Sequence, residues 1–529
     1  MSVTQTSKIA PTSLLRSSAL VGAMTMISRV MGLIRDVVFA RYLGADAAAD
    51  AFYIAFRIPN LFRRFFAEGA FAQAFVPVLS EYRQGGSQQA VKYLIDHVAG
   101  CLGLSLVVLT SLAILGAPLL TLLFANGYAG DDAQFGMTTQ LIRIMFPYLL
   151  LISLAGFVGS ILNSYDRFAI PALTPVFLNL VLIIAALMFG GSTTQEPVIA
   201  VAWGVVIAGV IQLGFQLPFV YRLGLGPNPK VNFKDPAVRK VLNLMAPALF
   251  GASVSQINMM INSMIASHLP TGSVSWMYYS DRLTELPLGI FAVAIATVVL
   301  PVMSRQIKAN SPAANATLDW GLRSVLLIAV PATLALILLA EPILITLFRY
   351  GQTSLHDVQM SAYSLVSYSL GLPAFMLIKV LVSGFYSRQD TRTPVKIGLW
   401  TLGANMLLNL VYVLPMNAYW HIGHAGLTLA TASAAALNAY CLWRGLVTRG
   451  FYQPMHGWAK FIGQLVFASA AMSGALMALM DLAPPLDAET AVVRVFWVTV
   501  LCVLGSAAYV MGLLLAGLRP RHLRPQPAG

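Results

Sequence analysis

Long apolar stretches alternate with short polar ones along the whole chain. Fourteen of these stretches reach about 20 residues or more, the length that an α-helix needs to cross the hydrocarbon core of a bilayer. We therefore predict fourteen transmembrane helices, near residues 15–34, 47–79, 93–124, 138–163, 168–190, 197–221, 241–268, 274–303, 322–348, 360–386, 395–416, 422–443, 458–481 and 492–517. An even number of spans places both termini on the same side of the membrane.

The composition also indicates a membrane protein. Hydrophobic residues make up 58% of the 529 residues and charged residues only 10%, whereas a soluble domain carries about 25% charged residues. The predicted fold class is therefore an all-α polytopic membrane protein.

The three cysteines, Cys101, Cys441 and Cys502, lie within apolar stretches and lack metal-ligand or CxxC spacing. This pattern favours buried apolar side chains.

Lysine and arginine are concentrated in alternate connections between the predicted helices. The connection at 221–240 carries Arg222, Lys230, Lys234, Arg239 and Lys240, whereas residues 268–277 carry no lysine or arginine. Because basic connections stay in the cytoplasm, we predict that both termini are cytoplasmic. The net charge of +13 is thus a topology signal, and no nucleic-acid-binding module accompanies it.

Two segments of the chain recur at nearly the same separation. Residues 73–80 resemble 297–304, and residues 164–171 resemble 387–394, at offsets of 224 and 223 residues. A shared offset predicts an internal repeat, here of two six-helix lobes followed by two additional C-terminal helices. Since six is even, the lobes have the same orientation, and parallel repeats of this kind hold a substrate between them and transport it by rocking.

The repeat defines the predicted domains. They are a cytoplasmic N-terminal segment at 1–13, an N-lobe at 14–223, a cytoplasmic loop at 224–240, a C-lobe at 241–450, the added helices at 451–518 and a cytoplasmic tail at 519–529.

Charged residues interrupt the first two apolar stretches. The first contains Arg29 and Arg35, with Asp36 beside the second arginine. In the second stretch a polar face is formed, at spacings of three, four or seven, by Asp50, Tyr53, Arg57, Asn60, Arg64 and Glu68. Such a face avoids lipid. Because Pro59 interrupts the helix, either Arg63 or Arg64 could face the cavity.

Two later stretches also carry charges. The eighth contains Asp281, Arg282 and Glu285, and the tenth contains Lys379. The carboxylates could simply neutralise neighbouring arginines, and Lys379 could extend to the membrane interface. The arginines nevertheless outnumber nearby carboxylates, so we predict an anionic cargo. Guanidinium binds two phosphate oxygens at once, which favours a phosphorylated cargo, although a carboxylate would be bound by the same groups.

No catalytic pattern competes with transport. The chain has no GxxxxGK[ST] nucleotide loop, no HExxH and no GxSxG, so direct ATP coupling and hydrolytic chemistry are not predicted. His421 and His424, three residues apart, could bind a metal, but solvent-exposed loop residues are the more common case. We therefore predict a transporter without a cofactor.

Five segments carry a resemblance to a known family. They lie at 27–36, 49–52, 56–75, 272–282 and 384–390, and the motif between Pro59 and Phe75 is highly specific. Together they resemble the MurJ (MviN) family of lipid II flippases, which belongs to the superfamily of multidrug, oligosaccharidyl-lipid and polysaccharide exporters.

The resemblance implies a function and a set of site residues. The family moves an undecaprenyl-pyrophosphate-linked peptidoglycan precursor from the cytoplasmic to the periplasmic leaflet of the bacterial inner membrane. Its cavity arginines match Arg29, Arg35, Arg63 and Arg282 of this chain, and Asp50 also matches. The helices after residue 457 would form a groove for the lipid tail. Lipid II and membrane lipids are the implied partners; other cell-wall proteins, the oligomeric state and the peptide or sugar variant of the cargo stay open.

One departure from the family concerns ion coupling. Some members resemble sodium-coupled carriers with an acidic residue in the seventh or eleventh helix, where this chain has only amides: Asn243, Asn258, Asn262, Asn405 and Asn409. Neutral amides bind a cation weakly, so sodium coupling is not predicted and the driving force stays open.

Two other functional classes are compatible with the fold. A drug or metabolite exporter of the same superfamily, or a polysaccharide-precursor exporter, would share the helices, but an exporter of organic cations would need surplus carboxylates in its cavity. A membrane scaffold would need no polar helix faces.

Overall fold

The computed structural model describes residues 11–63, 70–191, 197–309 and 311–519, with side chains described in these ranges except at 11–21, 70 and 246–255. Twenty α-helices account for most of the described residues. In chain order they are α1 Pro11–Tyr42, α2 Ala47–Arg63, α3 Ala70–Gly85, α4 Gln88–Leu115, α5 Ala117–Phe124, α6 Asp132–Met145, α7 Pro147–Ser164, α8 Ala169–Phe189, α9 Pro197–Arg222, α10 Pro236–Ala266, α11 Ser273–Pro287, α12 Val293–Lys308, α13 Ala313–Leu338, α14 Ala340–Phe348, α15 Leu355–Ser369, α16 Leu372–Tyr386, α17 Arg392–Trp420, α18 Gly423–Thr448, α19 Trp458–Leu482 and α20 Ala491–Leu515.

Among the spans whose residues are described throughout, five contain two helices rather than one. Breaks occur at Gly116 between α4 and α5, at Phe146 between α6 and α7, and at Gly371 before α16. The helix after each of these breaks has proline in its first two positions. Proline fits the first turn of a helix because the N–H that it lacks has no helical partner there. Each of these spans therefore consists of two consecutive helices.

The chain is a multi-pass membrane protein. Within the described ranges, eleven helices or consecutive helix pairs are long and apolar enough to cross a membrane. The three other predicted spans correspond to α1, to α2 with α3, and to α10, so the count of fourteen spans stays a prediction.

The internal repeat predicted from the sequence is confirmed by the order and the packing of the helices. The chain forms two compact units, Met1–Met264 and Ile265–Gly529, divided within α10. In the first unit α2 packs on α6, α3 and α4 on α7, and α7 and α8 on α9. In the second unit the same scheme recurs, with α11 on α15, α12 and α13 on α16, and α16 and α17 on α18. The added helices α19 and α20 pack on each other. The domain limits given above stay predictions.

Candidate functional site

Arg35 lies at the contact between α1 and α8. Its Nε and Nη2 donate to Oδ1 of Asp36 at 3.0 and 2.6 Å, and its Nη1 donates to Oδ1 of Asn179 on α8 at 3.1 Å. The Asn179 amide in turn donates to the Ser28 carbonyl at 3.1 Å. Arg35 is 3% exposed and Asp36 1%. This buried ion pair, bridged by one amide, therefore holds α1 against α8.

Arg29, one and a half turns earlier on α1, lies in a different environment. Its side chain is half-buried, and among the described residues it has no hydrogen-bond or ion-pair partner. A guanidinium retained at membrane depth without a carboxylate is suited to an anionic ligand.

The start of α2 positions Asp50. The Asp46 carboxylate accepts a hydrogen bond from the N–H of Ala49 at 2.8 Å and so caps the helix. Asp50, one turn further, is 2% exposed. It lies near Tyr128 in the connection between α5 and α6, where burial and the Asp50 carboxylate raise the pKa of the phenol while the Arg57 guanidinium lowers it. Asp50, Arg57 and Tyr128 therefore share one electrostatic environment.

Arg57 connects α2 to α10 within the first unit. Its Nη1 donates to Oγ of Ser263 at 3.1 Å, and this hydroxyl donates to the carbonyl of Met259 at 2.9 Å. The arginine is half-buried. Arg57 therefore has a structural role in this conformation, because it hydrogen-bonds a serine of a neighbouring helix.

Arg63 is held at the end of α2 by its own helix. Asn60 donates from its amide nitrogen to the Phe56 carbonyl at 2.9 Å and accepts from Nε of Arg63 at 3.1 Å. Pro59, inside the helix, cannot donate a backbone hydrogen bond. Arg63 is half-buried. Arg64 and Glu68 lie outside the described residues.

In the second unit Arg282 lies on α11 between the Tyr278 side chain and the Glu285 carboxylate. Its Nε and Nη2 contact the Tyr278 hydroxyl at 3.3 and 3.2 Å, and its Nη1 contacts Glu285 at 3.2 Å. The side chains of Arg282 and Glu285 are 33% and 44% exposed. An ion pair this exposed contributes little stability, so an incoming anion can displace the carboxylate at small cost. Asp281 beside it is half-buried.

The segment after Arg282 departs from regular α-helix. Pro287 ends α11, and residues 288–292 form a π-helical turn before α12. Such turns occur frequently at functional sites.

Two further groups of predicted residues have clear positions. Lys379 on α16 is exposed, and no described residue bonds its ammonium. Asn405 and Asn409 on α17 are both 1% exposed, and the amide of Asn409 donates to Oδ1 of Asn405 at 3.3 Å. They form a buried amide pair.

Sequence reasoning did not identify Asn179 and Ser263 as partners of the arginines. Asn179 is 144 positions from Arg35, and Ser263 is 206 positions from Arg57, so no helical spacing connects them. The available signal was the presence of polar residues within both apolar stretches, which is common in helices that pack together in membranes.

The chain is similar to proteins named as lipid II flippases. The family model described as lipid II flippase MurJ matches residues 39–496. A probable lipid II flippase MurJ of Vibrio cholerae serotype O1 is 44% identical over 519 residues, covering 97% of this chain and 98% of that protein. The lipid II flippase MurJ of Burkholderia cenocepacia is 44% identical over 466 residues, covering 87% of this chain and 89% of that protein.

Solved structures with the same fold include a member of this family. A lipid II flippase MurJ in an inward closed conformation matches with a TM-score of 0.78 and 26% identity, covering 93% of this chain and 98% of the other. A multidrug resistance MATE transporter of the MOP superfamily, inward-facing, matches with a TM-score of 0.65 and 13% identity, covering 82% and 98%. At that identity the likeness concerns the fold alone. The predicted fold class is confirmed.

Proposed function

We infer, because the chain belongs to the MurJ family of lipid II flippases, that it moves lipid II from the cytoplasmic to the periplasmic leaflet for cell wall synthesis. The observation that carries this function is the 44% identity to a probable lipid II flippase over 97% of the chain. The family predicted from the sequence motifs is thereby confirmed, and the MATE-like alternative is not favoured. The chain is a transporter of a lipid-linked precursor.

The positive side chains suit the cargo that this function requires. A pyrophosphate carries negative charge on several oxygens, and guanidinium groups bind such oxygens in pairs. We propose that three arginines, Arg29, Arg63 and Arg282, contribute to binding of the pyrophosphate headgroup. Arg29 has no partner among the described residues, Arg63 is held by the Asn60 amide, and Arg282 pairs with the exposed carboxylate of Glu285.

Arg35 and Asp50 support the binding residues and do not contact the cargo themselves. Arg35 is buried with Asp36 and Asn179, so it serves the cargo site by fixing α1, the helix that carries Arg29. Asp50 is buried, and both it and Arg57 act electrostatically on Tyr128. The Asp50 charge balances that arginine and limits the excess of positive charge in the first unit.

We propose that the protein resides in the bacterial inner membrane with both termini in the cytoplasm. The support is the bias of lysine and arginine towards alternate connections. A reporter fused after Leu518 and one inserted after Gly226 are expected to report cytoplasm, and one inserted beside Asp131 is expected to report periplasm. Labelling of the 224–235 connection by a membrane-impermeant reagent added from the periplasm would contradict this topology.

Complementation tests the function as a whole. Expressed in a bacterium depleted of its own flippase, the chain is expected to restore growth and normal cell shape. Lysis of these cells despite normal amounts of the protein in the membrane would contradict the proposal. Export of an organic cation dye by the same cells would favour the MATE-like alternative.

A further inference from the structure

Two buried carboxylates occupy equivalent places in the two repeats. Asp96 lies on α4 and Asp319 on α13, 223 residues apart, which is the offset of the internal repeat. They are 5% and 3% exposed. Each faces the cytoplasmic connection that follows the last helix of its own repeat. These connections are named here the first linker, residues 223–235, and the second linker, residues 449–457.

Asp96 binds the first linker through both its side chain and its backbone. Its Oδ1 accepts from the N–H of Asn228 at 2.8 Å and from the Lys92 ammonium, and its carbonyl accepts from the N–H of Lys230 at 2.9 Å. One turn along α4, Sγ of Cys101 accepts from the N–H of Asn232 at 3.3 Å. The linker therefore follows the surface of α4 by backbone contacts.

The end of the first linker is also the start of α10. The Tyr93 hydroxyl of α4 donates to the Asp235 carboxylate at 2.7 Å. The other oxygen of that carboxylate accepts from the N–H groups of Ala237 and Val238 at 2.9 and 3.3 Å, which caps α10. Contacts to α4 thus fix the first turn of α10 in place.

A glycine on α4 makes the close approach possible. A Cβ added at Gly100 would lie 2.3 Å from the carbonyl oxygen of Lys230, so alanine there forces the linker backbone away. Gly103, one turn further along the same helix, has no atom within 4 Å of the equivalent position. The two glycines form a matched pair for a test.

Asp319 makes equivalent contacts to the second linker in the second unit. Its Oδ1 accepts from the Tyr452 hydroxyl at 2.6 Å and from the Trp458 indole at 2.8 Å, and its Oδ2 pairs with Arg323 at 2.7 Å. Trp458 is the first residue of α19. Asn315 and Gln453 add two reciprocal hydrogen bonds of 2.8 Å each. The second linker and the start of α19 are thus fixed to α13.

We propose that Asp96 and Asp319 are positioning residues for transport, which keep the linkers bound to α4 and α13 throughout the cycle. A buried carboxylate that leaves its donors is strongly destabilised, so the bound state of each linker is the favoured one. The cytoplasmic end of α10 then moves with α4, and the start of α19 moves with α13. The role in transport rests on the proposed function. The linker contacts themselves can be measured without any cargo.

A disulfide tests whether the first linker stays bound during transport. In a background with Cys441→Ala and Cys502→Ala, Asn232→Cys places a second thiol beside native Cys101. We expect oxidation of the purified protein to join them. Because the cytoplasm would keep this pair reduced, activity is measured in reconstituted vesicles, where the oxidised protein is expected to translocate lipid II as well as the reduced one. Loss of function that reverses on reduction would overturn the proposal, as would failure of the disulfide to form. For the second linker, an oxidised Asn315→Cys, Gln453→Cys pair is expected to be equally active.

Release of the linker is measured by the reactivity of Cys101. This thiol is buried, so a membrane-permeant maleimide is expected to label it slowly in the parent and in Gly103→Ala. In Gly100→Ala and Asp96→Ala we expect labelling at least about tenfold faster, because labelling follows the population of the open state, together with reduced complementation. Asp96→Asn retains an acceptor for Asn228 and should lie between parent and Asp96→Ala. Unchanged labelling in both Gly100→Ala and Asp96→Ala would overturn the proposal.

Rescue separates positioning from general stability. In reconstituted vesicles, the oxidised Asn232→Cys disulfide is expected to restore lipid II translocation to Asp96→Ala, since it replaces the lost contact covalently. Absence of rescue in a protein that accumulates normally would count against a positioning role. If the parent labels slowly and forms the disulfide but does not support growth, the proposed function fails while the linker inference stands.

Discussion

Alanine in place of Arg29, Arg63 or Arg282 is expected to weaken binding of lipid II about tenfold or more. Each substitution removes one or two charge-assisted hydrogen bonds to the pyrophosphate, worth about 1.5 to 3 kcal/mol each, and 1.4 kcal/mol corresponds to about a factor of ten. The effect is measured as the affinity of the purified protein for lipid II, and in cells as failure to complement flippase depletion.

Lysine variants refine this prediction. Lysine keeps the charge but loses the planar, two-pronged geometry, so Arg→Lys should be nearly as damaging at a site that chelates the pyrophosphate and milder at a site that only attracts it. Arg444, exposed near the end of α18, provides the control, and Arg444→Ala should leave affinity unchanged. Normal growth and normal lipid II turnover in all three alanine variants would rule out the proposed binding residues.

Arg35→Ala is expected to act on stability instead. It leaves the Asp36 carboxylate, 1% exposed, without its guanidinium partner and removes a donor to Asn179. Breaking a buried ion pair on one side costs about 3 to 5 kcal/mol. We expect a clear loss of thermal stability in detergent and reduced accumulation in the membrane. The double variant Arg35→Met, Asp36→Asn removes both charges and should recover most of the loss.

Arg29→Ala is the matched comparison for this experiment. Its side chain has no partner among the described residues, so its removal should change thermal stability little while it impairs binding. If Arg35→Ala accumulates and unfolds like the parent but fails to bind lipid II, then Arg35 contacts the cargo directly and the structural role assigned to it is incorrect.

Much of the fold could be predicted from the sequence, because apolar length and a repeated offset are local or periodic signals. Each of the fourteen apolar stretches contains helix, and the repeat recurs in the helix packing. The breaks within spans were missed, although Pro118, Pro147 and Pro373 marked them. A hydropathy window averages over such a break, since the residues on both sides are equally apolar.

The candidate site was less predictable, because side-chain partners depend on tertiary contacts. Helical spacing placed Asn60 on the polar face of the second stretch and left Arg63 and Arg64 as alternatives, and the structure joins Asn60 to Arg63 by a hydrogen bond. The family resemblance grouped Arg35 with Arg29 as cavity arginines, whereas the structure buries Arg35 against α8 through Asn179. The carboxylates Asp96 and Asp319 gave no signal from composition, since each bonds a linker more than 100 positions away.

The most direct test of the account measures lipid II in the outer leaflet. Spheroplasts of cells depleted of their own flippase and expressing this chain are labelled in the lipid II headgroup and treated with an added enzyme that cleaves at the pyrophosphate but cannot cross the membrane. The account predicts that cleavage returns to the level of undepleted cells and falls again with Arg29→Ala. Labelled lipid II that accumulates uncleaved, in cells where the chain is present in normal amounts, would contradict it.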